Sequence, residues 1–242
     1  MAKRWILIAA VVSVGSAAYY AGAQMPMSTP KEKAKTPTSD IEMVERLNST
    51  RKNYQQTLEQ LRQHYMATGD IERSRWVEDE LKQYHRMVKY AYRLDIDVPV
   101  PTLQAKNNIP EANELFRQAM QYKDKGFGAE YIDNQRRAEI LFQRLLDKYP
   151  ESDKIGDTGY QLGDIYEKYR PSPQYRRSAL YFERSYQWTR VSTGDARLRA
   201  ARIYDKQLAD REKARGIYKE ILTHDTDGKR IEEARKRLEE LR

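Results

Sequence analysis

The chain has 242 residues, 39% hydrophobic and 33% charged, which is enough apolar material for one large or two small domains despite its polarity. It contains no cysteine, which excludes disulfides, thiolate metal sites, thiol nucleophiles and a lipid-modified N-terminal Cys; with only 11 Gly and 9 Pro, most of it is free to be helical. The net charge is +8, or +6 once Lys3 and Arg4 are assigned to a targeting segment, and acids are interleaved with bases as on solvated helix faces, so the balance does not single out nucleic acid as a partner.

Residues 1–23 read as an address. Lys3 and Arg4 form a positive start, Trp5 to Val14 is an unbroken apolar run, and Ala21-Gly22-Ala23 supplies small residues for cleavage. The alternative is an uncleaved anchor, because Trp5 to Ala23 carries no charge over 19 residues and Tyr19 and Tyr20 suit an interfacial belt. Both readings export the remainder to the periplasm or cell envelope, since the positive end stays inside. Residues 24–38 hold Pro26, Pro30, Pro37 and three lysines without an apolar period, and are expected to be a disordered linker. Ser39 with Glu42 forms a capping box that opens the first helix.

An antiparallel helical hairpin is expected over 39–94. Its first stripe is Val44, Leu47, Tyr54, Leu58, Leu61 and Tyr65; its second is Val77, Leu81, Tyr84, Val88 and Tyr92, with Trp76 alongside. Gly69 ends the first helix and Asp70 caps the second. These heptad-like seams are satisfied within the hairpin, against the following helices, or by a second copy; the short turn favours intramolecular packing. Pro99 and Pro101 make 95–109 an extended connector.

Beyond residue 110 a pattern repeats. A small residue precedes Tyr by three positions at Ala119/Tyr122, Gly163/Tyr166 and Ala201/Tyr204. A second small residue precedes an aromatic by four at Ala138/Phe142, Ser178/Phe182 and Ala214/Tyr218. The two signals alternate, so each unit is a helix pair: small residues let helices approach and aromatics fill the space between pairs. The first marker advances by 44, then 38, and by 33 to Ala234 on the last helix.

Leu162-Gly163-Asp164-Ile165-Tyr166, the Ala138 to Phe142 element and Pro150 together resemble the tetratricopeptide repeat. The segment 138–154 is similar to the repeats of exported bacterial envelope proteins, among them outer-membrane assembly lipoproteins and periplasmic coordinators of cell-wall synthesis, though the missing Cys argues against the lipoprotein branch. The resemblance implies an all-α fold in which 110–242 form an α-solenoid of three helix pairs and a capping helix. It departs from the family at Lys123–Gln135 and Arg170–Gln174, where longer helices or protruding turns are expected, and the second and third repeats lack the closing Pro. It further implies a groove along the first helix of each pair, which places Phe116, Met120 and Lys123, then Tyr160, Asp164, Glu167 and Lys168, then Leu198, Arg202 and Asp205 toward a protein or peptide partner. Packing or solvation accounts for several of these equally well.

A second candidate surface is the arginine-rich stretch of Arg170, Arg176, Arg177, Arg184, Arg190, Arg197 and Arg199, whose guanidinium groups suit an anionic lipid or cell-wall polymer. Glu167, Glu183 and Asp195 dilute it, so a solvated face or internal ion pairs explain much of it. His64, His85 and His224 have no zinc spacing, and Gly126-Phe127-Gly128 follows a helix and not a strand, so it reads as loop. No catalytic residue, metal or cofactor is expected. The reading is an exported or membrane-anchored binding scaffold and not an enzyme; the alternative is a self-assembling structural protein using the hairpin. Cleavage after Ala23 predicts Gln24 as the first residue of a soluble native protein by N-terminal sequencing, whereas an intact start in the membrane fraction selects the anchor.

Overall fold

A computed structural model describes residues 39–189 and 194–241. The signal or anchor segment 1–23, the linker 24–38 and Arg190 lie outside the described residues. Among those described, the protein is all-helical, with one isolated bridge between Asn107 and Ser152. The helices are α1 (Asp40–Ala67), α2 (Ile71–Arg86), α3 (Leu94–Asp97), α4 (Pro110–Tyr122), α5 (Ala129–Lys148), α6 (Ile155–Glu167), α7 (Tyr175–Trp188), α8 (Ala196–Lys206), α9 (Arg211–His224) and α10 (Gly228–Glu240). No helix among the described residues is long and apolar enough to cross a membrane.

The α1–α2 turn follows its local chemistry. Gly69 takes φ +73, and the Asp70 side chain accepts the backbone N–H of Arg73 at 3.0 Å. Val44, Leu58, Val77 and Leu81 are buried, so the hairpin has a small core of its own. Three local expectations are corrected. Ser39 precedes α1 in extended backbone but makes no capping bond, and the first turn of α1 is exposed, where its N–H groups do not need a protein partner. The second helix stops at Arg86: Met87 turns to ψ 130, after which Val88 packs into the main core and Tyr92 faces outward. The connector is not wholly extended, since Leu94–Asp97 close one helical turn that delivers Val98 to the core.

The connector lies pinned across the helix ends. Ala105 N–H donates to the Trp188 carbonyl at 2.8 Å, and the N–H groups of Lys106 and Asn107 both reach the Glu151 carbonyl. In return, Trp188 Nε1 donates to the Val100 carbonyl and Arg184 Nε to the Pro99 carbonyl, each at 2.8 Å. Chain without regular structure is thereby fixed in place by hydrogen bonds to its backbone.

From α4 onward each helix packs on the next, α4 with α5, α6 with α7 and α8 with α9, with α10 against α9. The small residues mark the tight crossings. Ala119, Ala138, Ala201, Ala214 and Ala234 are fully buried, and the Ser178 hydroxyl donates to the Gly163 carbonyl at 2.7 Å. Phe142, Tyr166, Phe182 and Tyr218 fill the space beside them. One apolar cluster centres on α4–α7 and a second on α7–α10. The Lys123–Gln135 insertion resolves into a turn to Gly128 followed by the long α5, and Arg170–Gln174 forms the α6–α7 loop.

The α6–α7 crossing leaves no room for a methyl group: a Cβ on Gly163 would sit 2.8 Å from the buried Phe182 ring, whereas one on Gly216 in α9 meets nothing within 4 Å. Gly163→Ala should therefore destabilise the protein by about 1–3 kcal/mol in urea unfolding, by overpacking. Gly216→Ala should stabilise it by roughly 0.5–1 kcal/mol through helix propensity alone.

Candidate functional site

The first helices of the successive pairs, α4, α6 and α8, are cross-linked to one another and to α10 by a ladder of ion pairs. Lys123 Nζ lies 2.6 Å from Asp164 Oδ2, and these side chains are only 6% and 7% exposed. Arg199 Nη2 reaches the other Asp164 oxygen at 2.6 Å, and the exposed Lys168 approaches the same carboxylate at 3.0 Å. Arg199 also pairs with Glu167 and donates to the Tyr160 hydroxyl at 3.3 Å, while Tyr160 donates to Asp195 at 2.7 Å. Arg202 grips Glu233 through two bonds, and Arg237 lies 2.5 Å from Asp205. Five of the ten groove positions, Lys123, Tyr160, Asp164, Glu167 and Lys168, thus meet in one network, and Arg202 and Asp205 each make a separate pair with α10. Of the other three, Phe116 packs on Phe142 with ring centres 5.5 Å apart, Met120 is 39% exposed, and Leu198 is buried in the second core, with no surface for a partner.

Asp164 is the node of this ladder. Burial by itself raises its carboxyl pKa, but hydrogen bonds and charge from Lys123 and Arg199 outweigh that and lower it to about 2.

The arginine set does not gather into one surface. Arg170 and Arg176 are exposed, while Arg184 is spent on Pro99 and Gln187. Arg197 pairs with Asp225 at 3.1 Å and lies over Tyr186, and Arg199 belongs to the ladder. Arg177 turns to a different place, with its guanidinium 4.1 Å from the Tyr166 ring centre. Adjacent arginines on a helix point about 100° apart, so a dense run of them seldom makes a single patch.

Arg177 lines a cleft of about 670 Å³ between the hairpin and α5, which sequence reasoning missed. The hairpin meets α5 mainly through polar groups: Arg86 with Asp133 at 2.5 Å, Lys52 with Asp147 at 3.5 Å and Arg144 with Glu59 at 3.6 Å. Behind these pairs lie Lys89, Arg136, Glu139 and Arg177. Burial, together with the charges of Arg136, Arg51 and Arg177 and against the pull of Glu139, lowers the Lys89 ammonium to about 8. No local signal announces this cluster, because its members come from separate elements.

The outer face of the hairpin carries an open apolar groove of about 880 Å³, lined in part by Tyr54, Trp76, Tyr84 and Met87. Trp76 is 60% exposed, and Leu47, Tyr54 and Leu61 of the expected seam also remain exposed.

No protein-family model matches this chain, and no curated protein or solved structure shows significant similarity to it.

The lowered Asp164 pKa makes stability depend on acid. The unfolded carboxyl titrates near about 4, so the unfolded chain binds more protons between about pH 4 and pH 2. This contribution should be complete above pH 4 and be lost as pH falls through about 2. Asp164→Asn should flatten that slope and cost about 1–3 kcal/mol at pH 7, since it removes one of the two carboxylates on the buried Lys123 and leaves that ammonium to Asp124 alone, as read by urea unfolding at pH 7 and pH 3.

Proposed function

We propose that the chain is an exported or membrane-anchored scaffold of tetratricopeptide type that holds a protein or peptide partner along the α4–α6–α8–α10 face. The observation that carries this reading is the ladder itself. Its buried members, Asp164 and Asp205 among them, fix the helices in register, and its partly exposed members Glu167, Lys168, Arg202 and Glu233 set charges of both signs in ordered positions that a partner can meet. Beside it Met120 and Lys168 remain exposed, and Phe127, at the tip of the α4–α5 loop, is 93% exposed. The apolar run with Lys3 and Arg4 before it supports delivery to the cell envelope, and the lysine- and proline-containing stretch 24–38 supports reach from that point. No residue is assigned a catalytic role and no cofactor is invoked.

A second reading, self-assembly through the hairpin, is favoured by the groove at Tyr54, Trp76 and Met87. One experiment separates the two. Tagged full-length protein is compared with a Met120→Asp, Lys168→Glu double variant and a Trp76→Asp variant, by capture from envelope extracts and by sedimentation. The scaffold reading expects a monomer whose defined captured partner is lost only in the double variant. A reversible oligomer abolished by Trp76→Asp, with no captured protein sensitive to the double variant, replaces it with self-assembly.

A further inference from the structure

The cleft between the hairpin and α5 has more positive charge than the fold can use. Its lining residues include seven Lys and Arg against four Asp and Glu. At the rim, Lys52 and Arg144 are answered by Asp147 and Glu59. The other lining cations are the exposed Lys148 and, with Glu139 and Asp97 as the remaining acids among the described lining residues, Lys89, Arg136, Arg177 and Arg51. Glu139 is already engaged, lying 3.4 Å from Arg136 and accepting the Tyr166 hydroxyl at 2.8 Å. Asp97 accepts from Asn48 at 3.0 Å through one oxygen, and its other oxygen has no partner.

Apart from the long Arg136–Glu139 pair, these cations are held in place by aromatic faces and carbonyls. Arg136 is almost wholly buried, lies 3.5 Å over the Tyr169 ring and donates to the Arg170 carbonyl at 2.7 Å. Arg177 rests on the Tyr166 ring, and Nε of both arginines is buried without a hydrogen-bond partner. Lys89 donates to the Tyr84 carbonyl at 3.1 Å and sits 4.2 Å over the Tyr84 ring. Aromatic faces and carbonyls orient these groups while leaving their formal charge in excess.

We propose that this cleft binds a phosphoryl group, with Lys89, Arg136 and Arg177 as its ligands and Tyr84 and Tyr166 as the walls that orient them. Guanidinium forks match the tetrahedral oxygens of phosphate, and a dianion answers an excess of two or three positive charges better than one carboxylate does. A cleft of about 670 Å³ has room for the small molecule or headgroup that carries the phosphoryl. Lys89 strengthens the case. It lies between α2 and α3 with one hydrogen bond, to the Tyr84 carbonyl in the last turn of α2, and burial beside Arg136, Arg51 and Arg177 means that the empty fold bears a cost for keeping it charged. The site is on a different surface from the proposed partner face, so the two stand or fall separately.

The test is calorimetric titration of the full chain at pH 7 and low salt with inorganic pyrophosphate, and binding to phosphatidic acid vesicles against phosphatidylcholine vesicles. Wild type should bind pyrophosphate, and Lys89→Met and Arg177→Gln should each weaken that binding by about tenfold or more. Arg117→Gln, which alters the exposed Arg117–Glu114 pair on α4, should leave it unchanged. Without ligand, Lys89→Met should melt at or above the wild-type temperature, because it removes a charge that the fold disfavours. Binding to phosphatidic acid vesicles alone, lost in the same two variants, would identify the phosphoryl source as a lipid headgroup. The proposal is overturned if wild type binds neither probe, if Lys89→Met and Arg177→Gln bind like wild type, or if Lys89→Met melts lower without ligand, which would make the ammonium a structural group.

Discussion

A carboxylate taken out of water among packed helices must find its cations inside the protein. Asp164 finds them on both neighbours of α6, with Lys123 at the end of α4 and Arg199 in α8. The net gain from such a pair is small, because desolvating both partners costs nearly what their attraction returns, but removing one partner leaves the other stranded. Its consequence is therefore register: α4, α6 and α8 must align so that these groups meet. The same arrangement continues through Arg202–Glu233 and Asp205–Arg237 to α10. The apolar seams behind the ladder decide how close the helices come, and the ladder decides where along their lengths they stop.

Two kinds of interface result. Within the helix pairs, contact is apolar and tight enough that Gly163 lies against Phe182 with no space for a methyl group. Between the hairpin and α5, contact is polar and open, made by Arg86–Asp133, Lys52–Asp147 and Arg144–Glu59, and it encloses a cleft. Ion pairs that are partly exposed hold more weakly than packed side chains do. The hairpin's own cluster is small, with Leu58, Val77 and Leu81 buried together and Tyr65 packed on them, so it leans less on apolar packing than the helix pairs do. The cleft falls where packing is less complete, and this is where a ligand is readily accommodated.

The candidate surfaces divide the work differently. On the α4–α6–α8–α10 face the charges are mutually satisfied, which suits recognition of a pattern over a long surface. In the cleft they are unbalanced, which suits capture of one small, strongly charged group. On the outer hairpin face, Tyr54, Trp76 and Met87 offer apolar contact, with Arg51, Asp79 and Glu80 among the groove's other lining residues.

Much of the fold was legible because its signals are local. The small-residue and aromatic spacings at Ala138/Phe142, Ser178/Phe182 and Ala214/Tyr218 follow from the helical period, and each of these residues is fully buried. Gly69 and Asp70 announced their turn for the same reason, since a left-handed backbone and a cap are decided within a few residues. Local pattern misled at Val88 and Tyr92, whose helical spacing continues after α2 has ended, and it missed the turn at Leu94–Asp97. Several groove positions were assigned to the row of helices that carries the ladder, but periodicity could not tell that Leu198 would be covered or that Asp164 would be spent on Lys123 and Arg199. The cleft was wholly invisible: Lys89, Arg136 and Arg177 lie 47 and 41 residues apart and share no period. By itself the sequence determined the helical class, the pairing of helices from residue 110 and the small-residue crossings, because each depends on neighbours three or four positions away. Only the tertiary structure decided which charges meet and which are left over, because electrostatic balance depends on distances in space that chain spacing does not encode.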